Sequence, residues 1–173
     1  MAYLQKSTYD LSNPNDPLIG YSRPFKELIK QIRQVVNFEE PILLCTDDET
    51  QAVSIANYIH VLSEKNGKFY VLDNITCNTD IEKAMEECRN GTVHVNNMDD
   101  LQSEYRQELL TIANKMGIRL VGRSKHPISD ISIIPLYPFT PFVIRVPELK
   151  SRQEDTHLLV HYYTLQYNLQ AGR

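Results

Sequence analysis

The sequence predicts an α/β fold, a three-layer α/β/α arrangement in which helices cover both faces of a five-stranded parallel sheet. Five short apolar runs have the length and composition of buried strands. Between them, apolar residues recur every three or four positions, which is typical of amphipathic helices. Strands that alternate with helices favour βαβ units and a parallel sheet. The strands are predicted at residues 41–45, 69–72, 92–95, 118–121 and 142–146.

Proline and glycine mark where several of the predicted helices begin or end. Pro24 stands where the first turn of a helix tolerates proline. Asn90-Gly91 and Gly117 follow two further segments, as glycine commonly does after a helix. The helices are predicted at residues 24–36, 50–62, 80–89, 101–116 and 155–169.

The composition and charge of the chain argue against several classes of function. The 173 residues carry a net charge of −4 and show no basic patch, so direct DNA contact by this chain is not expected. No apolar run approaches the roughly 20 residues of a membrane span. Three cysteines without a CxxC pair favour a reducing cytoplasm, and nothing around Cys77 indicates an activated thiol. Residues 1–16 are polar and are predicted to form a flexible leader without a signal peptide.

The loop after the first strand is where chemistry is expected, because parallel sheets bind ligands at the carboxyl ends of their strands. It runs from Thr46 to Ala52 and contains three consecutive carboxylates, but neither glycine nor lysine. A phosphate-binding loop needs both of those residue types. We therefore expect the acids to cap the following helix, with metal binding by the acidic triplet as the alternative.

Several motifs resemble one family. Residues 18–22, Leu-Ile-Gly-Tyr-Ser before an amphipathic helix, resemble the "LIGRS" that starts the AAA+ domain of sigma-54 activators, the NtrC-like enhancer-binding proteins. Residues 59–68 resemble "AIHRLS…GK", and residues 90–95 resemble "GGTLFLDE". The most specific likeness is that of residues 144–155 to "IRLPPLRERREDI". The resemblance covers residues 17–170 and implies a P-loop NTPase fold with strand order 5-1-4-3-2.

The sequence departs from the family at each catalytic motif. The Walker A motif lies over residues 46–53 with Ala52 at its lysine, and the Walker B Asp-Glu is Asn96-Asn97. Residues 78–87 are too few for the insertion with the sigma-54-contacting "GAFTGA" loop. The sensor motif near residues 123–126 lacks its Asn, and the arginine-finger region at residues 137–139 lacks Arg. Phosphoryl transfer needs these parts, so we predict a pseudo-ATPase without catalytic residues, metal or cofactor.

The resemblance divides the chain into a degenerate AAA+ domain at residues 17–150 and the first helix of a truncated lid at residues 151–173. It implies a non-catalytic regulator of transcription or signalling that acts through protein contacts. Its expected partners are sigma-54 activators or other regulators, and homo-oligomers stay open. The alternative is a receptor that binds a nucleotide or cyclic dinucleotide without hydrolysis. The residues predicted to line its cleft are Ile19, Gly20, Thr46 and Thr50.

Two features of the last predicted helix leave alternatives open. His157 and His161 have the four-residue spacing of metal ligands, but no third ligand is near in sequence, which favours a surface pair. Three tyrosines are typical either of a protein interface or of packing on the sheet. They are Tyr162, Tyr163 and Tyr167.

Overall fold

The computed structural model describes residues 18–73, 78–126 and 141–171. Its five strands pair in parallel in the order β2-β3-β4-β1-β5. This is the expected order 5-1-4-3-2 read from the opposite edge, so the predicted fold class is confirmed. The strands are β1 Ile42–Cys45, β2 Phe69–Leu72, β3 Thr92–Val95, β4 Arg119–Ser124 and β5 Phe142–Arg145.

In the described part of the chain, five α-helices connect and flank the strands, and their ends lie within two residues of the predicted ones. Ser22 caps the first helix, since its hydroxyl accepts from the Phe25 amide and Pro24 occupies the first turn. Two 3₁₀ turns, Leu149–Ser151 and Gln153–Asp155, precede the last helix. The helices are α1 Arg23–Val35, α2 Glu49–Leu62, α3 Asn78–Glu87, α4 Ser103–Met116 and α5 Thr156–Gln170.

Side chains alternate across the sheet and bury two separate cores. On one face, Leu43 packs in a cluster with Ile81 of α3 and Leu109 of α4. On the other face, Leu44 packs in a cluster with Ile32 of α1. Each fully buried side chain of this kind contributes about 1.5–3 kcal/mol to folding. The two cores make the three layers, and they leave the carboxyl edge of the sheet to the loops.

Strand β4 is longer than predicted, and this changes which residues lie in the sheet. The apolar run ends at Val121, but the strand continues through Gly122 and Arg123 to Ser124, with every residue buried. Glycine and arginine resemble a strand end in sequence. Here Gly122 pairs with Leu43, and Arg123 pairs with Leu44. Arg123 is therefore a buried sheet residue.

The turn after α3 ends the helix at Asn90-Gly91, as predicted. Asn90, with a φ of 56°, takes the left-handed conformation there. Asparagine tolerates this conformation because its short side chain bonds locally. Gly91 is needed for close approach instead, since a Cβ there would lie 2.1 Å from the backbone oxygen of Lys68.

Helix α5 stands apart from both cores. None of residues 156–169 is buried, and none of them belongs to either core cluster. The predicted boundary between residues 150 and 151 falls inside the turn Leu149–Ser151. Among the described residues, no helix has the length and apolar content to cross a membrane. Residues 1–16, Cys77 and residues 137–139 lie outside the described residues.

Candidate functional site

The carboxyl ends of β1, β3 and β4 meet at one edge of the sheet, and the guanidinium of Arg123 lies between them. This side chain is 0% exposed. Its donors reach the loops after both neighbouring strands. Nε donates to the backbone oxygen (2.8 Å) and Oδ1 (2.9 Å) of Asn96. Nη1 donates to the backbone oxygen of Thr46 (3.2 Å), and Nη2 donates to Oε1 of Glu49 (2.7 Å) and Oδ1 of Asn97 (2.9 Å).

Asp99 extends this network to the end of β4. Its Oδ1 accepts from the Ser124 hydroxyl at 2.7 Å, and its Oδ2 accepts from the Lys125 amide at 2.8 Å. The Thr46 amide donates to the backbone oxygen of Ser124 at 2.9 Å. The three loops at this edge are therefore joined into one hydrogen-bonded unit.

Asn96 and Asn97, which the resemblance places at the Walker B motif, take part in this hydrogen-bonded unit. The side-chain oxygens of Asn96 and Asn97 each accept a hydrogen bond from the Arg123 guanidinium. A magnesium ion prefers carboxylate and water ligands, and here it would meet neutral amides and a resident cation. Among the residues that the structure describes, no group of three or more His, Cys, Asp or Glu side chains is placed to hold a metal ion.

Two carboxylates of the acidic loop, those of Asp48 and Glu49, have different roles. Asp48 caps α2, because its Oδ1 accepts from the Gln51 amide at 2.9 Å, and this confirms the predicted cap. Glu49 instead reaches across to Arg123. Ala52, which the resemblance places at the family's lysine position, is fully buried in the core with Ile55. The loop presents no basic side chain to the cleft edge.

A cleft of about 430 Å³ opens between this loop, the segment before α1 and α5. Ile19, Thr46 and Thr50 line it, so the structure brings three of the four predicted cleft residues together. Gly20 lies behind them, where a Cβ would come within 2.5 Å of the Phe25 ring and 2.8 Å of Asp155. The remaining lining residues are mostly apolar or acidic: Leu18, Asp47, Asp48, Gln51, Ser54, Glu148, Leu149, Arg152, Leu159 and Tyr163.

Asp155, just before α5, bonds to the segment at the start of α1, and sequence reasoning missed this contact. This buried carboxylate accepts from the amides of Tyr21 (2.7 Å) and Ser22 (2.8 Å) and from the Ser22 hydroxyl (2.6 Å). Arg152 lies beside it, with Nη1 4.0 Å from Oδ2 and the guanidinium 5.6 Å from the centre of the Phe25 ring. Burial lowers the pKa of Arg152. The two family-like motifs at the chain's ends thus bond to each other.

The remaining candidates lie elsewhere. His157 and His161 are both exposed on α5. Burial raises the pKa of the Cys45 thiol, at the end of β1, to about 11, so it is no thiolate nucleophile at neutral pH. Tyr163 lines the cleft and Tyr167 is 66% exposed, so neither packs on the sheet. Arg123 itself was missed as a site residue because the predicted strand ended two residues before it.

The strand order and the helices on both faces of the parallel sheet define a P-loop NTPase-like fold of the AAA+ class. A family model described as the sigma-54 interaction domain matches residues 19–149, and the chain belongs to that family. The chain is also 23% identical over 212 aligned positions to a protein of Escherichia coli (strain K12) whose assigned name is uric acid sigma-54-dependent transcriptional regulator UacR. That alignment covers 94% of this chain and 36% of the relative.

Solved structures show the same fold. The crystal structure of NtrX from Brucella abortus matches with a TM-score of 0.74 and 19% identity, over 91% of this chain and 43% of NtrX. The P-loop NTPase domain of a sigma-54 transport activator from E. coli matches with a TM-score of 0.56 and 17% identity, over 68% of this chain and 98% of that domain. The chain spans about a third of the length of the curated relative that it matches.

Proposed function

We propose that this chain is a regulatory member of the sigma-54 interaction domain family that acts through protein contacts and does not hydrolyse ATP. The expected setting is the control of transcription or signalling, and the expected partners are sigma-54 activators or other regulators. Family membership supports the setting. The arrangement of side chains at the carboxyl edge of the sheet supports the absence of hydrolysis.

The observation that carries the proposal is the guanidinium of Arg123 at the centre of that edge. Phosphoryl transfer in P-loop NTPases needs a lysine, a magnesium ion and a residue that positions the attacking water. Here an internal cation engages Thr46, Glu49 and both asparagines, all of which come from the loops that would have to supply those parts. The first turn of α2 is already capped by Asp48. Each of these polar groups therefore already has a hydrogen-bond partner within the chain.

The comparison with the curated relative supports a second feature of the proposal. The alignment has 212 positions, more than the 173 residues of this chain, so the relative has residues inside the aligned stretch that this chain lacks. In this chain, residues 78–87 form the single ten-residue helix α3. The resemblance implies that these residues are too few for the family's sigma-54-contacting loop, so we propose that this chain engages its partners through other surfaces.

A phosphate-release assay with ATP and magnesium tests the proposal, with an intact family member as the positive control. We expect no turnover above background. Thr50→Val alters the cleft, and Thr111→Val changes an exposed threonine on α4, away from the cleft. Turnover that the first substitution abolishes and the second leaves unchanged would overturn the proposal.

A second candidate is a receptor that binds a nucleotide or cyclic dinucleotide without hydrolysis. The observation that favours it is the cleft of about 430 Å³, whose volume is in the range of small-molecule sites. The carboxylates of Asp47, Asp48 and Glu148 oppose it, because each unit charge a few Å from a phosphate costs about 1–4 kcal/mol near a surface.

Titration calorimetry with ATP and with a cyclic dinucleotide, each with and without magnesium, separates the two candidates. Micromolar binding that Ile19→Glu weakens and Thr111→Val does not would make the cleft a receptor. No binding of either ligand leaves the protein surfaces as the working parts of the chain.

A further inference from the structure

Arg152 is a buried cation that is short of a hydrogen-bond acceptor. It lies between the two 3₁₀ turns before α5, is only 6% exposed and lines the cleft. Its Nε has no hydrogen-bond partner among the residues that the structure describes. Asp155 is its ion-pair partner, but Oδ2 lies 4.0 Å from Nη1, which is too far for a hydrogen bond. Buried polar groups are nearly always hydrogen-bonded, so this guanidinium is suited to a ligand that brings an acceptor.

The surroundings of Arg152 direct such an acceptor to the cleft. Asp155 is already engaged, because its two oxygens accept from the amides of Tyr21 and Ser22 and from the Ser22 hydroxyl. The ring of Phe25 covers one face of the guanidinium, with the ring centre 5.6 Å from Cζ. The N–H groups of a guanidinium lie in its plane, so they stay available to a ligand in the cleft.

The exposed part of the same cleft carries negative charge. Asp47, Asp48 and Glu148 all line it and are exposed. Asp48 already caps α2, and Glu148 forms an ion pair with Lys150 at 2.6 Å. The carboxylate of Asp47 has neither kind of contact with the residues that the structure describes. The cleft therefore offers a buried cation and a separate, exposed anion.

We propose that the cleft binds a small zwitterion with an apolar body, of the class of amino acids and dipeptides. Its carboxylate accepts hydrogen bonds from Arg152, whose forked donors match that group, and its ammonium lies against Asp47. A volume of about 430 Å³ is sufficient for a ligand of this size. Aliphatic side chains also line the cleft and suit the apolar body: Leu18, Ile19, Leu149 and Leu159.

Net charge favours a zwitterion over a nucleotide in this cleft. The exposed carboxylates of Asp47, Asp48 and Glu148 outweigh the charge of Arg152, so a phosphate-bearing ligand brings charges of the same sign as its surroundings. A zwitterion brings no net charge and can place each of its ends beside the opposite sign. An amine without a carboxylate would leave the buried Nε of Arg152 without an acceptor.

Binding of a zwitterion gives the proposed regulatory role a signal, and it rests on that role only in this respect. The cleft is lined by Ile19 before α1 and by Leu159 of α5, so the bound ligand contacts both ends of the described chain. A regulator that does not hydrolyse ATP can respond to such a ligand instead. A failed titration with zwitterions leaves the phosphate-release result unchanged, and ATP turnover leaves the titration unchanged, so the two proposals fail separately.

Titration calorimetry with L-leucine and with leucyl-leucine, each up to about 5 mM, tests the ligand class. The two ligands have the same end groups at different spacings, and we expect at least one to bind with a dissociation constant below about 1 mM. N-acetylation removes the ammonium and C-terminal amidation removes the carboxylate, and each should weaken binding about tenfold or more. Absence of binding by both zwitterions overturns the proposal, as does a modified ligand that binds equally well.

Arg152→Lys tests the seat of the carboxylate. The substitution keeps the positive charge but lacks Nε and the forked donors, so it should weaken binding about tenfold. Arg145→Lys, at an exposed arginine outside the cleft, is the matched control and should change the affinity by less than about twofold. Urea unfolding checks that both variants are folded. Unchanged affinity in folded Arg152→Lys overturns the assignment.

Asp47→Lys tests the seat of the ammonium, at an exposed position where a charge change does not threaten the fold. We expect binding to weaken about fivefold or more, because the new cation repels the ammonium. Asp100→Lys makes the same charge change at an exposed acid outside the cleft and should alter the affinity by less than about twofold. Equal effects of the two substitutions would overturn the proposal.

Discussion

The two ends of strand β4 hold buried arginines in opposite electrostatic situations. Arg119 and Arg123 are four residues apart, so they project to the same face of the sheet, and each is 1% exposed. Arg123, at the carboxyl end, bonds through all three nitrogens and faces the carboxylate of Glu49. Arg119, at the amino end, donates through Nη2 to the backbone oxygens of Val36 and Phe38, and its Nε and Nη1 have no partner among the residues that the structure describes.

The difference shows which edge of the sheet is specialised. Arg119 caps the C-terminal end of α1, where carbonyl oxygens attract a cation, and burial lowers its pKa. Arg123 joins the loops after β1 and β3, at the edge where α/β sheets bind ligands. One arginine completes a helix end, and the other fills the position of a potential ligand site from within the chain.

The largest expected effect comes from Arg123→Met, which removes the guanidinium at the carboxyl end. The substitution strands Asn96, Asn97 and the Thr46 carbonyl without their shared donor. Leaving a buried acceptor without a donor costs about 1–3 kcal/mol, so stranding several of them together costs about 3–5 kcal/mol. We expect the free energy of unfolding in urea to fall by that amount. Arg145→Met, an exposed arginine at the end of β5, is the control and should cost less than about 0.5 kcal/mol.

The fold was accessible from sequence because its signals are local and repeated. The β2 and β3 bounds follow from apolar runs alone, and the strand order came with the family resemblance. The hydrogen-bond network at the carboxyl edge could not be predicted from the sequence in the same way. Its members are as many as 77 residues apart, and an arginine after a glycine carries no sign that it will be buried. The Asp155 contact with Ser22 spans 133 residues and shows the same limit.

Between the two arginines, His94 on β3 makes the middle of β4 sensitive to acid. Its Nδ1 lies 2.9 Å from the backbone oxygen of Val121, and burial lowers its pKa to about 4. The unfolded chain has a histidine pKa of about 6.5, so it binds the proton first as pH falls. The contribution of neutral His94 to the free energy of unfolding is therefore fully present above pH 6.5. It falls by roughly 3 kcal/mol between pH 6.5 and 4.

Urea unfolding at a series of pH values measures this loss. His94→Gln keeps an amide that can donate to Val121, but it does not titrate. We expect the difference between the original protein and this variant to shrink as pH falls through that window. His157→Gln, on exposed α5, should leave the pH profile unchanged. An unaltered profile for His94→Gln would show that another group governs the acid response.

Arg119→Met should cost less than Arg123→Met, and this ranking is the sharpest test of the comparison. The substitution removes two hydrogen bonds to the backbone oxygens just after α1, each worth about 0.5–1.5 kcal/mol, and it also removes two buried nitrogens that have no partner among the described residues. The expected net loss is about 1–2 kcal/mol. Thermal unfolding of both variants side by side gives the ranking. An equal or larger loss at Arg119 would show that pairing at the carboxyl edge adds nothing special.

The smallest expected effect is that of Glu49→Gln, which separates charge from hydrogen bonding at the carboxyl edge. Glu49 is 55% exposed, so water already screens its pair with Arg123, and the glutamine oxygen can still accept from Nη2. The expected loss is about 0.5–1 kcal/mol, and it should shrink in high salt because screening weakens an exposed pair. Urea unfolding at low and high salt measures both, with Asp47→Asn in the same loop as the control for loop charge. A loss as large as that of Arg123→Met would mean that the ion pair, rather than the asparagines and the Thr46 carbonyl, holds this edge together.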